Sequence, residues 1–185
     1  MKTHNLAFID CETSGLDPQR HEIIELAVVL AKQVERPGKG PKIEIILEKE
    51  WKIKMQHPEV AEEQALRING YNEADWVFAF DLEQVMKEFA KITESASFVS
   101  HNIVFDYGFV QKAFEKTGVS SKMHYAKIDT ISMALARLYD VPQAQGFSLN
   151  KLCELFKVDN KRAHTALADT LALVEVYKKM MGINN

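Results

Sequence analysis

A pair of acidic residues at the end of an apolar segment is the first candidate for chemistry. Asp10 and Glu12 flank Cys11 and follow residues 6–9, whose apolar run is typical of a buried β-strand. Because strand side chains alternate between faces, Asp10 and Glu12 share one face, whereas Cys11 points to the other. Adjacent carboxylates repel each other and lose solvation, and a bound hard cation offsets both effects. The pair indicates a divalent-metal site, although this spacing also arises by chance among 26 acidic residues in 185.

Two later segments supply further carboxylates and one histidine. Asp106 follows an apolar segment at 97–100 and falls in the first turns of a predicted helix, where the helix dipole favours an acid. His164 and Asp169 would diverge by about 140° if both lay within one helix, but they can converge if His164 occupies the preceding loop. Each residue also has a purely structural interpretation. Asp106 is then a helix-start acid, and His164 a polar residue at a helix N-terminus.

The elements that must position these residues begin with β-strands. Hydrophobic alternation predicts strands at 5–10, 23–31 and 43–53, with turn-forming residues at 35–42 between the second and the third. Strands and helices then alternate, which predicts an α/β fold with a mixed five-stranded sheet flanked by helices on both faces. The later predicted elements are helices at 58–68, 81–92, 104–116, 130–138, 147–156 and 165–181, and short strands at 97–100 and around Ile128.

Composition limits the classes of protein and of partner. A chain of 185 residues with 46% hydrophobic residues predicts one domain spanning 1–185. The sequence has no apolar run of 18 residues and no room for a signal peptide before the first strand, so we expect a cytoplasmic protein without a membrane partner. Cys11 and Cys153 are the two cysteines, which favours a reduced protein over a disulfide scaffold or a zinc site. A net charge of −3 argues against coating nucleic acid through bulk positive charge, but not against local binding through a metal.

Three ordered motifs resemble those of the DEDDh, or DnaQ-like, 3′→5′ exonuclease family. They are residues 8–16 (FIDCETSGL), 101–106 (HNIVFD) and 164–169 (HTALAD), and the similarity covers nearly the whole chain. The resemblance implies a ribonuclease H-like fold, which agrees with the mixed sheet predicted above. It also implies hydrolysis of phosphodiester bonds at the 3′ end of single-stranded DNA or RNA, with release of nucleoside 5′-monophosphates.

The resemblance assigns a role to each motif residue. The four acidic residues of the motifs are expected to hold two divalent cations, Mg²⁺ or Mn²⁺. The positive charge of the cations balances the negative charge of the carboxylates. Two such ions can hold both the attacking and the leaving oxygen of an in-line displacement. His164 is expected to act as the general base, since an imidazole titrates near neutral pH. The expected metal ligands are Asp10, Glu12, Asp106 and Asp169, and the expected substrate-binding residues are Thr13, Ser14, Gly15, Leu16, His101, Asn102 and Phe105.

Several residues near these motifs have two interpretations. Phe105 suits a nucleotide pocket and the core equally. Asp129 is a tempting fifth acid, yet its place just before a predicted helix favours an N-cap. Gly15 is expected to permit a tight backbone turn, and by resemblance Leu16 is expected to wedge against a base.

Two classes of function compete at this stage. The first is a metal-dependent exonuclease, and the second is a catalytically silent nucleic-acid or protein-binding module on the same fold. The silent module is disfavoured because all five catalytic positions are filled. Within the enzyme class, a polymerase-associated proofreading exonuclease competes with a standalone nuclease that trims DNA or RNA. Because residues 182–185 alone follow the last predicted helix, we expect a standalone enzyme or one with a transient polymerase partner. The resemblance leaves a homodimer open.

Overall fold

A mixed five-stranded sheet forms the centre of the fold. The computed structural model describes residues 4–36, 41–160 and 165–183. Its strands are Leu6–Thr13 (β1), Ile23–Val34 (β2), Lys42–Lys52 (β3), Ser97–Ser100 (β4) and Lys127–Asp129 (β5). They lie in the order β3-β2-β1-β4-β5. The first three strands pair antiparallel, whereas β4 pairs parallel with both β1 and β5. The predicted α/β class and mixed five-stranded sheet are confirmed.

Helices lie on both faces of this sheet. Their bounds are Glu63–Ile68 (α1), Leu82–Ile92 (α2), Ile103–Thr117 (α3), Thr130–Leu138 (α4), Leu149–Phe156 (α5) and Ala166–Met180 (α6). α3 ends at Gly118, which adopts the left-handed conformation (φ 69°) expected of a residue that terminates a helix. Within the described ranges, no helix is both long and apolar enough to cross a membrane.

The predicted continuous helix at 58–68 is wrong. The structure has a 3₁₀ turn at Pro58–Val60, then an extended residue, Ala61, and then α1. Neither short element has a buried residue, so no apolar stripe holds the segment together as one helix.

Side chains of β1 alternate between two hydrophobic clusters. Ala7, Ile9 and Cys11 pack in the cluster that includes α2 and α3. Phe8 belongs to the cluster on the opposite face, where its ring meets that of Tyr177 in α6 at a centroid distance of 5.3 Å. Burying a side chain of this size contributes about 1.5–3 kcal/mol, so the register of β1 is strongly fixed. The alternation confirms that Cys11 faces the core.

The strand directions bring the motifs to one edge of the sheet. Because β1, β4 and β5 are parallel, their carboxyl ends lie together. β1 continues to Thr13, three residues beyond its predicted end, so Asp10 and Glu12 lie inside the strand. α3 begins directly after β4, which carries the second motif to the same edge.

Candidate active site

Three carboxylates converge at the carboxyl end of β1. Asp10 and Glu12 come from this strand, and Asp169 comes from the first turn of α6. Each offers one oxygen, and the three oxygens lie within 4.8 Å of one another. Asp169 arrives there because α6 packs across the face of β1 and β2 that carries both strand acids. An all-oxygen donor set of this kind suits a hard divalent cation.

Asp106 approaches the same site from the opposite side of the sheet. It lies in the first turn of α3 and is 2% exposed. Its Oδ1 accepts hydrogen bonds from the backbone N–H of Cys11 at 3.1 Å and from the Cys11 thiol at 3.3 Å. Asp106 is therefore tied to the strand residue between Asp10 and Glu12 and is not one of the three converging carboxylates.

Burial and mutual repulsion raise the pKa values of this cluster. The pKa of Asp10 is raised well above its usual value, first by burial and then by the charges of Asp106 and Glu12. Burial and the charge of Asp169 raise the pKa of Glu12 to about 7. Burial also raises the pKa of Asp106 to about 7, although the hydrogen bonds from Cys11 act in the opposite direction. Without a cation, this environment therefore disfavours the fully ionised form of the cluster. A bound cation favours their ionised forms and so relieves the strain of the arrangement.

The turn after β1 is a rigid, hydrogen-bonded unit. The buried Thr13 hydroxyl donates to the carbonyl of Gly15 at 2.7 Å, and the Ser14 Oγ accepts from the backbone N–H of Glu22 at 2.9 Å. Leu16 follows with 73% of its surface exposed, which leaves it accessible to a ligand. The chain bends at residues 14–16, as expected around Gly15, although the Gly15 backbone is not left-handed. A Cβ on Gly15 would lie 2.5 Å from the ring of His21, so the close approach of that buried ring is what requires glycine.

The residues of the second motif differ in their exposure and in their contacts. His101 is half-buried and its Nδ1 lies 3.0 Å from the Thr130 hydroxyl, while burial lowers its pKa. Asn102 is exposed and adopts a left-handed conformation (φ 67°) just before α3. Phe105 is half-buried, packs against the core cluster and meets the ring of Phe109 at 4.9 Å. Among these residues, Asn102 is the most accessible to a ligand.

Asp129 serves as a helix cap. Its Oδ2 accepts a hydrogen bond from the backbone N–H of Ser132 at 2.9 Å at the start of α4. Its Oδ1 accepts another from the backbone N–H of Ile103 at 3.1 Å. The N-cap interpretation is confirmed, and the same carboxylate links the starts of α3 and α4. His164 lies outside the described residues, and its role as general base stays a prediction.

Comparison with known proteins decides the family. The model of the RNase_T exonuclease family matches residues 7–177 of this chain. The chain belongs to this exonuclease family. The membership confirms the predicted DnaQ-like resemblance and the enzyme class, an exonuclease.

The relatives of this chain include much larger polymerases. DNA polymerase III PolC-type of Staphylococcus saprophyticus is 29% identical over 181 residues, which cover 98% of this chain and 12% of the polymerase. The corresponding protein of Staphylococcus haemolyticus is 28% identical with the same coverage. The chain therefore spans about one eighth of the length of these relatives.

Solved exonuclease I structures share the fold. E. coli exonuclease I in complex with a dT13 oligonucleotide superposes with a TM-score of 0.76 at 15% identity, covering 97% of this chain and 42% of that one. Exonuclease I of Methylocaldum szegediense gives a TM-score of 0.74 at 15% identity, covering 96% of this chain and 41% of that one. The similarity confirms the ribonuclease H-like fold.

Sequence reasoning missed three polar residues that hold the third motif of this exonuclease. Glu25 and Glu50 accept hydrogen bonds from the first two backbone N–H groups of α6, each at 2.9 Å. Asn160 donates from its Nδ2 to the Oδ1 of Asp169 at 2.8 Å. One signal was available: Glu25 is the single acid within the otherwise apolar segment 23–31. Nothing in the sequence marks Glu50 or Asn160, because their partners lie on other elements.

Proposed function

We propose that this chain hydrolyses phosphodiester bonds one nucleotide at a time from the 3′ end of single-stranded DNA or RNA. The products are a shortened strand and nucleoside 5′-monophosphates. The observation that carries the proposal is the convergence of the Asp10, Glu12 and Asp169 oxygens within 4.8 Å, beside the buried Asp106. We further propose that residues 1–185 form one exonuclease domain.

The residues present fit two divalent cations, Mg²⁺ or Mn²⁺. Their donor atoms are all carboxylate oxygens, and burial together with mutual repulsion raises the pKa values of Asp10 and Glu12, effects that bound cations offset. Asp10, Glu12 and Asp169 would hold one ion, and Asp106 with Asp10 would complete the site for the second. When bound, such ions activate a water molecule and stabilise the departing 3′ oxygen.

The chain's own groups orient the substrate and accept the proton. His164 takes a proton from the attacking water, because an imidazole is near its pKa at neutral pH. Backbone groups of Thr13–Leu16 (residues 13–16) hold the terminal nucleotide, and the rigid turn keeps them in place. Leu16 and Asn102, both exposed, contact the base and the sugar. His101 and Phe105 are half-buried and support the wall behind them.

The partner is proposed to be a single-stranded 3′ end. E. coli exonuclease I, which shares the fold, is known in complex with dT13 and dA16 oligonucleotides. The PolC-type relatives are polymerases, which makes a transient polymerase partner for this chain the second proposal.

One assay tests the proposed activity. The purified protein with Mg²⁺ is incubated with 5′-labelled single- and double-stranded DNA and RNA, including dinucleotides. A ladder of products shortened from the 3′ end is expected on single strands, and blocking the 3′ end should stop it. The control is Asp10→Asn, which keeps the shape of the side chain but removes its charge. Cleavage that ignores a 3′ block, or equal activity of Asp10→Asn, would overturn the proposal.

A further inference from the structure

The start of α6 is held by acids from two neighbouring strands. The backbone N–H of Ala166 donates to the Oε1 of Glu25 at 2.9 Å, and that of Leu167 donates to the Oε1 of Glu50 at 2.9 Å. The next N–H, that of Ala168, is capped locally by the hydroxyl of Thr165 at 3.4 Å. The first donors of a helix ordinarily bind water or a local cap, so contacts from strands β2 and β3 are a special arrangement.

The strand register places these acids directly beside the metal ligands. Glu25 faces Glu12 across the β1–β2 pair, and Ala27 lies between Asp10 and Glu50 across three strands. All these side chains belong to the face of the sheet that α6 covers. Glu25 is 4% exposed and Ala166 is fully buried, so water does not replace their hydrogen bond.

The geometry connects this contact to Asp169. Asp169 follows the anchored residues Ala166 and Leu167 by three and two positions, within the same first turn of α6. Its own backbone N–H donates to the Thr165 carbonyl at 3.0 Å. A shift or rotation of the first turn of α6 therefore moves the Asp169 carboxylate away from Asp10 and Glu12. We propose that Glu25 and Glu50 are positioning residues that fix the first turn of α6, so that Asp169 meets the metal ligands of β1.

The proposed role of Glu25 and Glu50 differs from that of a metal ligand in the side-chain property on which it depends. An anchor needs only an acceptor oxygen, whereas a carboxylate ligand also contributes its negative charge to the cation. Glu25→Gln keeps the oxygen that accepts from Ala166, and its amide can donate to Glu50. Glu25→Ala and Glu50→Ala remove the acceptors. The matched control is Glu48→Ala, because Glu48 is an exposed glutamate two residues from Glu50 in the same strand.

The inference rests on the proposed function for its catalytic meaning, and its test has two other readouts. Mn²⁺ binding is measured by calorimetry, and backbone amide exchange of residues 166–168 is measured without metal. We expect Glu25→Ala and Glu50→Ala to weaken Mn²⁺ binding about 10–100-fold, the usual effect of removing support behind a metal ligand, and to speed amide exchange. Glu25→Gln should bind Mn²⁺ within about threefold of the wild type, within the scatter of neutral substitutions. Glu48→Ala should match the wild type in both measurements.

Two results would overturn the inference. If Glu25→Gln loses as much Mn²⁺ affinity as Glu25→Ala, the charge of Glu25 is what the site uses. If Glu25→Ala and Glu50→Ala both keep wild-type affinity and exchange, the anchor has no effect on Asp169. If Glu25→Ala fails to fold, Glu50→Ala, at a half-buried position, and Glu25→Gln still test whether the two glutamates position Asp169. A wild-type protein that binds Mn²⁺ but cleaves no nucleic acid would overturn the proposed function and leave this inference standing.

Discussion

Replacing Glu12 by glutamine should stabilise the metal-free protein above neutral pH. In the folded state, burial and the charges of Asp169, Glu25 and Asp106 raise the pKa of Glu12 from 4.5 to about 7. Below about pH 4.5, Glu12 is protonated in both the folded and the unfolded states and has no effect on stability. As the pH rises from there towards 7, the unfolded state loses its proton first, so the free energy of unfolding falls. Above about pH 7 the loss is complete. Glutamine has the same shape and no charge, so it avoids this loss.

The magnitude follows from the size of the shift. One pKa unit corresponds to about 1.4 kcal/mol, so a rise from 4.5 to about 7 costs about 3 kcal/mol above neutral pH. For a domain of this size, 1 kcal/mol changes Tm by about 2–4 °C. The Glu12→Gln protein should therefore melt about 6–12 °C above the wild type at pH 8 in EDTA. At pH 5 the two proteins should differ little, because most of the loss has not yet developed.

The assay is thermal unfolding in EDTA at several pH values from 5 to 8, followed by circular dichroism. Glu48→Gln is the control, because it removes an exposed glutamate and should not change the pH dependence. Adding Mg²⁺ at pH 8 should raise the Tm of the wild type more than that of Glu12→Gln. If Glu12→Gln melts at or below the wild-type temperature at pH 8, the carboxylate cluster does not repel as described.

Four further predictions concern catalysis and metal binding. Asp10→Ala or Asp106→Ala should abolish hydrolysis without loss of helical circular dichroism, and near-normal turnover of either would contradict the two-metal proposal. EDTA should stop hydrolysis, and Mg²⁺ or Mn²⁺ should restore it, whereas Ca²⁺ should bind but support little turnover. Full activity after exhaustive chelation would contradict a metal-dependent reaction. His164→Ala should lower kcat about 10²–10⁴-fold, and its metal affinity, measured by calorimetry, should not change. A large loss of metal affinity would instead identify His164 as a metal ligand. Asn160→Ala frees one oxygen of Asp169 and should weaken Mn²⁺ binding about 10–100-fold; unchanged affinity would show that this hydrogen bond is dispensable.

Much of the fold follows from hydrophobic periodicity. The alternation along β1 predicts correctly that Cys11 faces the core and that Asp10 and Glu12 share the other face. Capping chemistry likewise predicts the role of Asp129 and the end of α3 at Gly118. These features depend on residues within a few positions of one another in the chain, and sequence patterns predict interactions over that distance.

The contacts that complete the site lie beyond that range. Glu25 and Ala166 are 141 positions apart, and their hydrogen bond depends on the register of three strands and the path of α6. The hydrogen bonds between Cys11 and Asp106 likewise join residues that lie 95 positions apart. Gly15 shows the same limit at short range: its sequence context indicates a turn, but the buried ring of His21 is the reason for glycine. The helix predicted at 58–68 is interrupted because neither of its two short elements buries a residue against the core.

The place of α6 in the chain affects when the site can form during synthesis. β1 to β5 and the helices between them precede α6 in chain order, and together they hold Asp10, Glu12 and Asp106. α6 adds Asp169 to this cluster. It also covers the face of the sheet to which Phe8 belongs. A nascent chain that has not yet made α6 therefore has an incomplete carboxylate cluster and an exposed apolar face, which chaperones recognise. The helix that covers this apolar face thus also completes the carboxylate cluster, so the cluster and this part of the hydrophobic core form together.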